Sequence, residues 1–67
     1  MKKITLTFLS DPGHGWVRVD RKVLYELGVE DKITSYSFQR GSKVFLEEDH
    51  DAVILLDALK SRGVLVK

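Results

Sequence analysis

The chain has 67 residues, 43% of them hydrophobic, with 11 Lys and Arg against 10 Asp and Glu and a formal net charge of +1. That length predicts one small domain spanning residues 1–67, with no room for a deep catalytic cleft beside a core. The pairing of ample apolar residues with near-zero net charge excludes the disordered class. Cysteine is absent, which rules out disulfides, thiolate metal sites and a thiol nucleophile, and no run approaches the roughly 20 apolar residues of a membrane span.

Met1-Lys2-Lys3 precedes an alternating stretch, with Ile4, Leu6 and Phe8 on one side and Lys3, Thr5 and Thr7 on the other. This period of two predicts a strand over 3–9. A basic start followed by apolar residues superficially matches a secretory leader, but Asp11-Pro12-Gly13 follows with no small-residue cleavage site, so a cytoplasmic location is expected. Ser10-Asp11-Pro12-Gly13-His14-Gly15 is a dense turn signal, Pro fitting the second turn position and Gly the third. Trp16–Val19 resumes as a second strand, giving a hairpin with a longer loop. Asp20 is a suitable N-cap for a short helix presenting Val23, Leu24 and Leu27, Gly28 a suitable left-handed C-cap, and Val29 a cover for the helix end.

The second half repeats the plan. Lys32–Gln39 and Lys43–Glu47 read as strands joined by a tight connection at Arg40-Gly41-Ser42. From about Asp51 to Arg62, Ala52, Leu55, Leu56 and Leu59 follow the i, i+3, i+4, i+7 rule. Lys60 and Arg62 suit the negative end of that helix, and Gly63 stops it. Val64–Val66 is read as a short edge strand or a cover for the core. The expectation is an α+β fold: a single small ββαββα domain with a mainly antiparallel sheet and two helices packed on one face.

Three features carry functional readings. The Asp11–Trp16 loop places His14 and Trp16 on a rigid turn, which suits an anchor in a protein interface. It lacks the further glycine or the Lys-Ser/Thr of a phosphate-cradling fingerprint. The run Glu47-Glu48-Asp49-His50-Asp51 carries four carboxylates in five residues, an acidic contact for a basic surface. Its ordinary structural use is at a helix N-terminus, where one Asp caps and the others favour the positive end of the dipole, and its spacing is not that of a calcium loop. Third, Lys2, Lys3, Arg18, Arg21, Lys22, Lys32, Arg40 and Lys43, beside Tyr36 and Phe38, offer a basic and aromatic face for nucleic acid. The basic excess is small, seven against five over residues 1–40, where phosphate-binding domains show a clearer one. No Ser/His/Asp or paired-carboxylate spacing supports catalysis, so no enzyme, cofactor or metal site is expected.

The string Ser10-Asp11-Pro12-Gly13-His14-Gly15-Trp16, with Ile33-Thr34-Ser35-Tyr36-Ser37 and Val44-Phe45-Leu46-Glu47-Glu48-Asp49, resembles a group of small, mostly uncharacterised proteins of tailed bacteriophages and prophages, over nearly the whole chain. The resemblance implies a phage-type protein acting in a bacterial cytoplasm and implies no reaction. Together these readings predict a protein-binding module that modulates or inhibits a host or phage protein complex, one that handles nucleic acid or serves defence. Asp11, His14, Trp16, Glu47, Glu48, Asp49 and Asp51 form the expected contact. The alternative is a nucleic-acid-binding domain using the polar face of the sheet through Lys3, Arg18, Arg40 and Lys43. A monomer, or a weak homodimer through a free strand edge at Val64–Val66 or Lys3–Leu9, is expected.

Overall fold

The structure is a computed structural model and describes residues 3–66; Lys2, counted above among the basic residues, lies outside them. Its elements run β1 (Lys3–Ile4), β2 (Thr7–Asp11), β3 (His14–Asp20), α1 (Arg21–Leu27), a 3-10 turn (Glu30–Lys32), β4 (Phe38–Arg40), β5 (Lys43–Glu47), α2 (Asp51–Ser61) and β6 (Leu65–Val66). Strands β2, β3, β5 and β4 form, in that order, one antiparallel sheet, while β1 and β6 pair in parallel as a separate two-stranded ribbon. The α+β class, the two helices and the antiparallel sheet are those expected from the sequence pattern.

Alternation along the central strands decides which side the helices cover. Val17 and Val19 of β3 and Val44 and Leu46 of β5 are buried, and they join Val23, Leu24 and Leu27 of α1 and Ala52, Leu55 and Leu59 of α2 in one apolar cluster. Leu46, Leu55 and Leu59 are completely enclosed, and each such side chain contributes about 1.5–3 kcal/mol relative to leaving it in water. The residues between them point the other way: Trp16, Arg18, Phe45 and Phe38 share the face that no helix covers.

Both helices end alike. Gly28 at φ 71° lets its own N–H reach the Tyr25 carbonyl and that of Val29 reach Leu24. Gly63 at φ 69° repeats this with Lys60 and with Val64 to Leu59. Left-handed glycines thereby satisfy the last carbonyls while Val29 and Val64 seal the apolar ends.

Several local expectations are corrected. The first hairpin has a two-residue loop: Asp11 pairs with His14 across Pro12-Gly13, with Gly13 at φ 97°, so the strands run to the turn itself. The 3–9 strand divides at Thr5-Leu6, where the chain leaves the ribbon for the main sheet. Phe8, opposite Val17 but on the outermost strand, stays 59% exposed because the apolar cluster ends before it. Of the expected 32–39 strand only Phe38 and Gln39 are extended, and the strand continues to Arg40, a residue expected in the turn. Leu56 stays largely exposed, outside the buried stripe of α2. Asp20 stands at the N-cap of α1 without bonding its backbone, because its carboxylate takes Lys43 Nζ at 2.6 Å instead. The edge at Val64–Val66 is half used, since Leu65 and Val66 pair with Lys3 and Ile4.

Candidate functional site

The uncovered face of the sheet carries an aromatic strip. Trp16 lies on this face and is half-buried by its neighbours. The His14 ring stacks on it at 5.8 Å between centroids, Phe38 meets it edge-on at 5.0 Å, and Phe38 stacks on Phe45 at 4.7 Å. Register explains the assembly. Trp16 pairs with Glu47, Phe45 with both Arg18 and Phe38, so residues of three strands meet on one side of the pleat.

The hairpin tip and the acidic run, more than 30 positions apart in sequence, are adjacent in space. Asp11 and His14 approach to 3.4 Å across the turn. The Glu48 N–H donates to the Gly15 carbonyl at 3.1 Å, and a Cβ on Gly15 would collide with the Glu48 carboxylate and the Phe8 ring. Glycine at 15 therefore permits the close approach of the acidic turn to β3. Glu47 is fixed as well, its two carboxylate oxygens accepting the N–H groups of His50 at 2.8 Å and Asp49 at 2.9 Å. Beside this junction opens a depression of about 410 Å³ with a largely apolar wall, lined by His14, Thr34, Tyr36, Glu47 and His50. Tyr36 is 76% exposed. Among the described residues no Lys or Arg comes within ion-pair distance of Asp11, Glu47, Glu48 or Asp49.

Asp51 departs from the expected acidic contact. It has no exposed surface, and it does not cap α2 with its side chain. Its carboxylate accepts the Thr34 N–H at 3.0 Å, the Thr34 hydroxyl at 2.8 Å, the Ser37 hydroxyl, and His50 Nδ1–H at 3.0 Å. Ser37 Oγ in turn accepts the Glu47 N–H at 2.9 Å. Burial pushes the Asp51 carboxyl up, but the hydrogen bonds from Ser37, His50 and Thr34 outweigh it, and the net displacement is below the ordinary carboxylate value. An ionised carboxylate can only accept, so His50 carries its proton on Nδ1 in this contact and turns Nε2 outward. This network is also why residues 33–37 do not extend as a strand: their polar groups wrap around Asp51. Asp51 thus supports the site from beneath, while Asp11, Glu48 and Asp49 lie on the surface and Glu47 is half-buried.

The basic residues do not gather. Arg18 and Arg40 flank the aromatic strip, Arg40 lying 5.9 Å from the Phe38 ring centroid. Lys43 shares the face but is held by Asp20, and the hydrogen bond and charge of Lys43 keep that carboxyl below its ordinary value. Lys3 lies on β1, away from the strip. Arg21 braces α1 against Glu30 at 2.9 Å and against Gln39, and Lys22 and Lys32 belong to the helical layer.

The structure adds Phe45, Thr34 and His50 to the site and moves Tyr36 from the basic face to the wall of the depression. Thr34 and Ser37, two hydroxyls three positions apart in a segment with little apolar patterning, are the sequence signal that points to a turn built around an acceptor. Among the described residues no three His, Asp or Glu side chains converge to hold a metal ion, and no helix is long and apolar enough to cross a membrane. No known protein family matches the chain, and no curated protein or solved structure does either.

Proposed function

We propose that the protein is a non-catalytic, phage-type binding module that occupies a surface of a host or phage protein, one that handles nucleic acid or serves defence, and modulates or inhibits it by occlusion. The observation that carries this reading is the meeting of the Asp11–Trp16 hairpin with the Glu47–Asp49 turn around one open, largely apolar depression. Half-exposed aromatic rings on a rigid support, ringed by charge, are the composition of interface anchors. The uncompensated carboxylates select a basic partner and would repel a polyanion at this end of the sheet.

The test is capture of the tagged chain's partner from a bacterial lysate, with and without nuclease, beside His14→Ala and Trp16→Ala variants shown to be folded. A partner that survives nuclease and is lost with either variant supports the reading; a partner retained by both removes this end of the sheet from it. The second reading, single-stranded nucleic acid on the aromatic strip, is favoured by Arg18 and Arg40 beside Phe45 and Phe38. It predicts recovery that vanishes with nuclease and an affinity that falls steeply with salt.

A further inference from the structure

We propose that the depression beside Glu47 is a receptor for a single arginine side chain of the partner protein. This rests on the protein-binding reading and names the chemistry that the surface selects. The first ground is shape and polarity. A largely apolar hollow of about 410 Å³ falls within the roughly 300–1,000 Å³ of ligand sites, and its polar groups are few. The second is the state of the carboxylate. Glu47 is half-buried at its edge and each of its oxygens already accepts one backbone N–H, from His50 and from Asp49. The side chain is therefore locked in one orientation, and a carboxylate offers about four lone-pair positions, so two remain for an incoming donor. The third is charge. Glu47, the carboxylate that lines the hollow, has no Lys or Arg within ion-pair distance among the described residues, so its charge there is uncompensated.

These features separate arginine from the other occupants. A phosphate or a nucleotide would meet the Glu47 carboxylate in the wall. A neutral apolar side chain would bury Glu47 without a counter-charge, a desolvation cost with nothing to offset it. A lysine ammonium is a compact, strongly hydrated charge and makes little use of flat walls. A guanidinium is planar and weakly hydrated, stacks on rings such as Tyr36 and His14, and meets a fixed carboxylate through paired N–H groups. Glu47 supplies the acceptor, Tyr36 and the imidazoles supply the planes, and Asp51 holds His50 in place from below.

The experiment uses the intact chain and no partner. Acetyl-Gly-Arg-Gly-amide is titrated into labelled protein and followed by NMR, beside the otherwise identical lysine peptide and the citrulline peptide, which keeps the shape and loses the charge. The expected result is a saturable shift at His14, Tyr36, Glu47 and His50, with arginine bound at least about fivefold more tightly than citrulline or lysine. Tyr36→Ala, at an exposed position, keeps the thermal midpoint and weakens arginine about two- to fivefold. Glu47→Gln abolishes the difference between arginine and citrulline; should that variant not fold, the citrulline comparison and Tyr36→Ala decide. No saturable shift, equal binding of citrulline or lysine, or shifts centred elsewhere overturns the proposal. So does a short single-stranded oligonucleotide that shifts the same four residues more strongly. Failure here with a nuclease-resistant, His14-dependent partner in the lysate removes the arginine receptor alone. A lysate that yields no nuclease-resistant partner, or one retained by both variants, is the separate failure of the protein-binding reading.

Discussion

Replacing Asp51 by alanine removes the acceptor on which Thr34, Ser37 and His50 converge, and leaves two Thr34 donors and the Ser37 hydroxyl facing an apolar methyl. Breaking a buried charged network in this way costs about 3–5 kcal/mol. At about 0.05–0.15 kcal/mol per residue, a chain of 67 residues holds only about 3–10 kcal/mol in all. The variant is therefore expected to lose at least about 12 °C in thermal midpoint, at about 4 °C or more per kcal/mol for a domain of this size. Asp51→Asn keeps one acceptor and the shape, and should lose less, about 1–3 kcal/mol. Urea unfolding followed by Trp16 fluorescence and circular dichroism reads both. The pH dependence provides an independent check. The folded Asp51 carboxyl lies below its ordinary value, so its contribution is fully present above the unfolded pKa of about 3.9 and is lost as pH falls through the lower folded value. The wild-type protein should lose stability along that acid limb, and Asp51→Asn should show a shallower one. Asp51→Asn within about 0.5 kcal/mol of wild type at pH 7, with an unchanged acid limb, would refute the network as a support of the fold.

Leu55 is completely enclosed between α2 and the sheet, so Leu55→Ala should cost about 2–5 kcal/mol in denaturant unfolding; a loss under about 1 kcal/mol would show that α2 is not docked as described. Lys43→Met should let the Asp20 carboxyl rise toward its ordinary value in a carbon-detected NMR titration, because the Lys43 hydrogen bond and charge hold it down. An unmoved Asp20 titration would mean that the pair does not persist in solution.

Much of the candidate site can be traced in the sequence, and the remainder fails for identifiable reasons. Asp11, His14, Trp16, Glu47, Glu48 and Asp49 are conspicuous because their chemistry is concentrated in two short runs, and the structure sets those runs side by side. Asp51 is different. On a one-dimensional reading it continues the acidic run, but the first turn of α2 rotates it inward, where Thr34 and Ser37 enclose it. Tyr36 reads with the basic residues because Lys32 and Arg40 flank it in the chain; the turn around Asp51 brings it to the wall of the depression that Glu47 also lines.

What the sequence by itself determines is local and periodic. Pro12-Gly13 and Gly41-Ser42 set the two hairpin turns, Gly28 and Gly63 end the helices through positive φ, and the valines of β3 and β5 with the leucines of the helices define one apolar face. These outcomes depend on dihedral preference and side-chain period, which act over a few residues. Only the tertiary structure decides that β3 and β5 are neighbours, that β1 leaves the sheet to pair with β6, and that Trp16 faces outward with Phe38 and Phe45. Each of these depends on contacts between segments far apart in the chain, where many pairings satisfy the same local pattern and burial of one shared core selects among them.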